Sequence, residues 1–342
     1  MNEKHEPIDL AMMCQMLDFI SADRPRDDWA ALLMSAKSEF GDQAKTVMQA
    51  WSSKADNYDR LAFNSTWKSI KAGGGITIAT LIQTAKDSGY QFKSISKTDR
   101  NRLAKEQGER KRLRLEAEKR EEQDTALRQK EAAIFASEFI KNRAAKVNPN
   151  HPYFIKKHLA NAIKELGATS YLYQYYQSII VPLYQFDEFG KINICSLQYI
   201  DEGGRKIFLK GGKTKGAFFP LRFDGYIFSI VICEGLATAM TYALYYDQLS
   251  EIVVAFNAKN LKHVARSFKN LYPKARIIIA GDNDVQTEIK TGINPGVKAA
   301  QQAAIAVDAE LSIPVFNDGE FGTDWNDRFV LDSMQQEGSS HG

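Results

Sequence analysis

Residues 230–244 read IVICEGLATAMTYAL, and residues 275–286 read ARIIIAGDNDVQ. Each opens with a short apolar run of the length and β-branched character of a strand buried on both faces. Each run ends on acid. Glu234 follows the first directly, and Asp282 and Asp284 follow the second. The surrounding sequence continues the alternation. IFSIVIC (227–233), EIVVAF (251–256), ARIIIA (275–280) and LSIPVF (311–316) read as strands. LATAMTYALYY (236–246), NLKHVARSFKNLY (260–272) and NPGVKAAQQAAIAVDA (294–309) read as helices between them. Four apolar strands joined by helices predict an α/β fold with a mostly parallel sheet covered on both faces. Ligands of such sheets gather beyond the carboxyl ends of the strands, where Glu234, Asn257, Asp282, Asp284 and Asn317 are expected.

Upstream, IIVPLYQF (179–186), KINICSLQYI (191–200) and RKIFLKG (205–211) are β-rich, and Asp201-Glu202-Gly203-Gly204 marks a hairpin turn. The hairpin leads into GGKTKGAFFPL (211–221), which with Lys210 brings Lys210, Lys213 and Lys215 into one glycine-rich stretch. GGKT suggests a nucleotide-binding loop, but the glycine required five positions before Gly212 is Ile207, and no helix follows convincingly. With Arg205 and Lys206, these lysines suit a phosphate backbone or a triphosphate, and a plain solvent-exposed loop is the alternative.

Residues 10–92 read as a small helical module. Asp27-Asp28 are placed to cap a helix bearing Trp29, Leu32 and Leu33. Trp51, Tyr58, Phe63 and Trp67 are bulky anchors, and Gly73-Gly74-Gly75 turns into a helix capped by Thr77 and closed by Gly89. Residues 93–131 mix both charge signs at helical spacing, a solvated helical linker in which Gly108 is a point of interruption. Arg110, Lys111, Arg112 and Arg114 form a basic cluster within reach of a phosphate backbone, if they are not simply the linker's wet face. Residues 132–228 form the hairpin-containing basic subdomain, 229–333 the sheet domain with the carboxylates, and 334–342 a frayed tail.

The 342 residues are 44% hydrophobic and 11% aromatic, enough for real cores, and the formal charge of +3 permits nucleic-acid binding without demonstrating it. Cys14, Cys195 and Cys233 lie far apart and the five histidines are scattered, so no structural zinc site is expected. The opening MNEKHEPIDLAMM does not read as a secretory signal and no apolar run has membrane-spanning length. A soluble, cytoplasmic protein with no membrane partner is the expectation.

Carboxylates delivered from neighbouring strand ends are what a protein needs to hold a hard divalent cation against phosphate. Asp324 and Asp327, in GTDWNDRF (322–329), fall just past the last strand and add a third acidic group. A lone GDND is as readily a β-turn. The recurrence of acid after successive strands points instead to one or two Mg²⁺ ions. Lys259, Lys262, His263 and Arg266 lie on or before the intervening helix, and Lys259 is near enough to the rim to meet a phosphate.

At these residues the chain resembles Toprim-domain proteins, and from about His151 to Leu331 it resembles the primases of plasmids, phages and integrative elements. The likeness rests on Glu234-Gly235 with Ala237-Thr238-Ala239, on Asn260-Leu261, on Asp282 and Asp284, on Gly292, Asn294 and Gly296, and on Asp324-Trp325-Asn326-Asp327. Residues 12–92 separately resemble the primase C-terminal type 2 module, through RDDW at Trp29, the Trp51 segment, TWKSIKAGG and TIATLIQTA. The resemblance implies primer synthesis from nucleoside triphosphates on a single-stranded DNA template in a bacterial host. Mg²⁺, for which Mn²⁺ can substitute, would be held by Glu234, Asp282 and Asp284. Asp324 and Asp327 would be further ligands or organisers, with Lys259 toward the triphosphate and Arg205, Lys206, Lys210, Lys213 and Lys215 toward nucleic acid. It also implies a replicative helicase, an initiator or a single-strand-binding protein as partner. The chain departs from many such primases in lacking zinc ligands and a helicase motor. A Toprim nuclease using the same carboxylates, or a single-stranded-DNA-binding replication accessory with an impaired site, is the alternative. A topoisomerase would need a tyrosine nucleophile in a separate DNA-gate domain, and the tyrosines here read mainly as structural.

Overall fold

The computed structural model describes residues 7–70, 75–92, 96–168, 171–223 and 227–339. The chain divides into two compact units, Met1–Gln123 and Asp124–Gly342.

In the first unit, α1 (Leu10–Leu17), α2 (Arg26–Phe40), α3 (Lys45–Ser52), α4 (Arg60–Ser69) and α5 (Ile78–Asp87) enclose a core that includes Met13, Leu33, Met48, Trp51, Phe63, Trp67 and Leu81. Pro25 occupies the cap position of α2, so Asp27 and Asp28 lie within its first turn instead of capping it. There they favour the positive end of the helix dipole. Thr77 is the cap residue of α5, but its side chain makes no capping bond. Gly73 and Gly74 lie outside the described residues.

The charged stretch is helical without a break: α6 runs Lys97–Asn142, through Gly108. One glycine in a helix interior costs only about 1 kcal/mol relative to alanine. Pairs such as Arg102–Glu106, at 2.9 Å and four residues apart, offset part of that cost. Two members of the basic cluster are engaged within the unit. The Arg110 guanidinium donates to Ile8 O (3.1 Å) and Glu39 Oε1 (3.0 Å) and lies over the Phe40 ring, and Arg114 donates to Ser38 O.

The second unit holds two five-stranded sheets. The first is antiparallel, in the order β1 (Ala145–Lys146), β2 (Tyr173–Tyr175), β3 (Ser178–Phe186), β4 (Ile192–Ile200) and β5 (Lys206–Phe208). Two short helices, α7 (Pro152–Lys156) and α8 (Ala160–Glu165), precede β2. The last turns of α6 cover one face of this sheet, with Ala136 and Phe139 packed on Ile180 and Leu197.

The remaining elements are β6 (Phe219–Arg222), β7 (Ser229–Cys233), α9 (Leu236–Thr241, continuing as a π-type turn to Tyr246), β8 (Glu251–Val254), α10 (Ala258–Leu271), β9 (Arg276–Ala280), α11 (Val285–Thr291), α12 (Pro295–Ile305), β10 (Glu310–Ser312) and α13 (Trp325–Ser339). The second sheet has the order β10-β9-β7-β8-β6. Its first four strands are parallel and β6 is an antiparallel edge. This sheet reaches across position 228, because β6 from the hairpin region pairs with β8. A paired bridge between Tyr184 and Phe218 joins β3 to the segment entering β6. The last strand is shorter than the sequence predicts, because Pro314 offers no backbone N–H to a ladder. The helix α11 has no buried residue and carries no apolar period that would mark it in the sequence.

Candidate active site

β7 is the central strand, and its end is level with that of β9: Cys233 stands beside Ala280. The next residues are therefore Glu234 and the Gly281-Asp282 turn, side by side at the carboxyl edge. Glu234 and Asp282 line one cavity of about 220 Å³ with Asp324, and Lys156, Lys157 and Lys206 line the same cavity with Tyr153 and Phe256. Acidic and basic side chains thus share the lining of one pocket.

The electrostatics follow from this enclosure. Burial, then the nearby charges of Glu234, Asp324 and Asp284, push Asp282 up to about 8, with Lys206 opposing. Burial also raises Glu234, against a hydrogen bond from the Ala258 N–H and the charge of Lys206, while Asp284 and Asp324 reinforce the rise. Glu234 Oε2 and Asp282 Oδ1 are buried and have no donor. Two orphaned carboxylate oxygens at one wall fit a hard cation such as Mg²⁺, which takes one or two carboxylates and keeps waters or phosphates for its other positions. Among the described residues no group of three or more His, Cys, Asp or Glu side chains converges as a ready-made metal cage.

Asp284 is close enough to act on both acids but does not line the cavity. Its Oδ2 accepts from the Gly296 N–H at 2.9 Å, where a Cβ on residue 296 would come within 2.6 Å of Asp282 O. Glycine is the residue that lets α12 approach the acidic turn so closely. Asn294 fixes the same turn. Its Oδ1 accepts from Asp284 N (3.1 Å) and its Nδ2 donates to Asn283 Oδ1 (2.8 Å).

Asp324 reaches the cavity while Asp327 sits behind it, and both pair with Lys157, at 3.6 and 3.1 Å. Burial would raise Asp327, but the Thr323 N–H and Lys157 outweigh it and hold its pKa down. Lys259 is exposed and lies apart from the carboxylates, in a second, open cavity of about 190 Å³ with Lys215, Asn257 and His263. Asn317 belongs to a turn closed on Glu320 and lines neither cavity. Of the basic loop, Lys206 reaches the acids, Lys215 the second cavity, and Arg205 and Lys210 are exposed on the surface, while Lys213 is half-buried. Gly212 serves packing: a Cβ there would fall 2.0 Å from Ser196 Oγ. Buried Asn260 anchors this loop, accepting from Gly216 N (2.7 Å) and donating to Ala217 O and Ala255 O (2.8 Å each).

Sequence reasoning missed Tyr153, Lys156, Lys157 and Phe256. The first three are remote in sequence from both acidic motifs. Phe256, two residues past the end of β8, has φ of 71°, a conformation costly for a bulky residue, at the cavity wall. A non-glycine outlier of this kind has no sequence signal.

Residues 13–85 match the Primase C terminal 2 (PriCT-2) model, and residues 229–335 match the Toprim domain model. Over 147 residues the chain is 37% identical to DNA primase TraC of Escherichia coli, covering 42% of this chain and 13% of that protein. A second Escherichia coli DNA primase TraC is 37% identical over 138 residues, covering 40% of this chain and 9% of that one. The chain therefore matches only a small part of the length of these relatives. Among solved structures, the primase fragment of the bacteriophage T7 primase-helicase protein aligns with 53% of this chain and 68% of that one, at 18% identity and a TM-score of 0.37. The chain thus carries, in order, a region that matches the Primase C terminal 2 model and a Toprim domain.

Proposed function

We propose that this chain synthesises primers on single-stranded DNA by Mg²⁺-dependent nucleotidyl transfer, joining nucleoside triphosphates with release of pyrophosphate, in the replication of a mobile element in the cytoplasm of a bacterial host. The observation that carries the reading is the cavity lined together by Glu234, Asp282 and Asp324 and by Lys156, Lys157 and Lys206. When bound, the ion supplies positive charge to the phosphates and aligns them for in-line attack. Glu234 Oε2 and Asp282 Oδ1 are the atoms free to hold it. Lys156 and Lys206, which line the same cavity, attract phosphate oxygens. A carboxylate of raised proton affinity at this wall suits uptake of the proton from the attacking 3′-hydroxyl. The exposed basic loop holds template or primer backbone without regard to sequence. The similarity to DNA primase TraC supports the same reading, and a replicative helicase, an initiator or a single-strand-binding protein is the partner class that would deliver the template.

The test incubates the purified chain with single-stranded DNA, labelled nucleoside triphosphates and Mg²⁺ or Mn²⁺, and resolves the products on a denaturing gel. New short labelled products are expected. Shortened input DNA without incorporation would overturn the reading in favour of phosphodiester hydrolysis.

A further inference from the structure

Asp324 and Asp327 are bonded differently from Glu234 and Asp282, although Asp324 shares their cavity. Every oxygen of the first pair is engaged. Asp324 Oδ1 accepts from the Asp327 N–H at 2.8 Å, and its Oδ2 lies 3.6 Å from the Lys157 ammonium. Asp327 Oδ2 accepts from the Thr323 N–H at 3.0 Å, and its Oδ1 lies 3.1 Å from the same ammonium. Glu234 and Asp282 each keep one buried oxygen with no donor.

The lysine is placed by more than its charge. The Asn326 amide, almost fully buried, donates to Lys157 O and to Thr241 Oγ1, both at 2.9 Å. The turn after α7 is thereby tied to the start of α13 and to α9. The Lys157 side chain is only 28% exposed, so its flexible stem is confined and its charge is poorly screened.

We propose that Lys157 is a built-in counter-ion that occupies the position where a second divalent cation would otherwise bridge Asp324 and Asp327. It divides the acidic group into a pair left open for metal, Glu234 and Asp282, and a pair already neutralised. The chain by itself then holds one divalent ion, and Lys157 is a positioning residue that sets that number. This inference rests on the metal-dependent reading above and deepens it.

The experiment counts Mn²⁺ bound to the full chain, without nucleotide or DNA, by the loss of the free-ion electron paramagnetic resonance signal on titration. Wild type is expected to bind one ion per chain, Lys157→Met two, and Lys157→Arg one. Asp327→Asn should leave the wild-type count at one, whereas Asp282→Asn should weaken that single site at least about tenfold. Circular dichroism checks that each variant is folded, and the Asp327→Asn and Asp282→Asn results decide the assignment even if Lys157→Met unfolds. Two ions on wild type, one on a folded Lys157→Met, or loss of the wild-type ion in Asp327→Asn would overturn the counter-ion assignment while leaving metal binding intact. No ion on wild type would overturn the metal-dependent reading itself, and the counter-ion with it.

Discussion

In the helical unit the three tryptophan indoles each have an acceptor: Trp29 donates to Ser52 Oγ at 3.0 Å, Trp51 to Ile20 O at 2.8 Å and Trp67 to Asp42 Oδ1 at 2.8 Å. In the α/β unit Glu234 and Asp282 line the same cavity, their buried Oε2 and Oδ1 have no donor, and Trp325 Nε1 is buried without an acceptor. The helical unit has buried polar atoms without a hydrogen-bond partner too, such as Tyr58 Oη and Arg110 Nε, but Arg110 uses its terminal nitrogen elsewhere. Its polar groups mostly close on one another, as stability requires. Acids of like charge gathered without donors cost stability, and that cost is the reason the chemistry is proposed for the other unit.

The sharpest way to break this contrast is to remove one of those acids. Asp282→Asn should lower nucleotide incorporation by roughly a thousandfold, the scale on which loss of a charge-stabilising group acts. The fold should survive, since the substitution relieves like-charge repulsion. Incorporation measured on a variant whose circular dichroism matches wild type and whose thermal midpoint is no lower checks it. Activity within about tenfold of wild type would move the chemistry elsewhere.

Proteolysis tests the division itself. The helix α6 is anchored on the helical unit through Arg110 and Arg114, and on the first sheet through Ala136 and Phe139. Residues 119–124 between those anchors are all exposed. Trypsin should therefore cut first near Lys119, Arg120, Arg128 or Lys130 and leave two resistant fragments, read by mass spectrometry. Early cuts inside either core, with this stretch intact, would show that the two regions are not separate folding units.

The parallel sheet was legible because buried strands are short apolar runs with acids at their ends, and this pattern alone is enough to put Glu234 and Asp282 at one edge. The unbroken α6 was not legible. Gly108 reads as a stop, and only the summed side-chain pairs and the anchoring of Arg110 carry the helix through it. Lys157 was hidden for another reason. It lies 170 residues from Asp327 in the chain and meets it only because the turn after α7 is bonded to the start of α13. Asn294 stood in the sequence as part of a family likeness, while its physical task of holding the Asp-Asn-Asp turn appears only in the hydrogen bonds.

A smaller effect concerns pH. The Asp282 carboxyl, raised to about 8, binds its proton more tightly in the folded than in the unfolded chain. The stability this confers is fully present below the unfolded value near pH 4 and is lost as pH rises through about 8. In metal-free protein the thermal midpoint should fall between about pH 5 and pH 8, each pH unit costing at most about 1.4 kcal/mol from this group. Asp282→Asn should flatten the slope, and Mg²⁺ should oppose it in wild type. A slope unchanged by Asp282→Asn would show that the acid is not held out of water as the geometry implies.

The smallest expected effect belongs to the basic loop, and it asks whether surface charge in the α/β unit does the binding that buried charge cannot. Lys210 and Lys215 are exposed and Lys213 is half-buried, and none of the three touches the carboxylates. Their expected contribution is therefore to attraction and not to the chemical step. Long, mobile ammonium groups displace counter-ions from a phosphate backbone, and each contact to single-stranded nucleic acid contributes about 0.7 to the logarithmic salt slope. Replacing all three by alanine should weaken single-stranded DNA binding about tenfold at moderate salt and reduce that slope by at most about 2. The rate at saturating DNA should stay near wild type. Fluorescence anisotropy across a salt series measures both quantities. An unchanged slope would mean that the loop is only a solvent-exposed turn held in place by Asn260. A collapse in the saturated rate would mean that one of these lysines acts on the reacting phosphates, with Lys215, from the cavity it shares with Lys259 and His263, the first to examine.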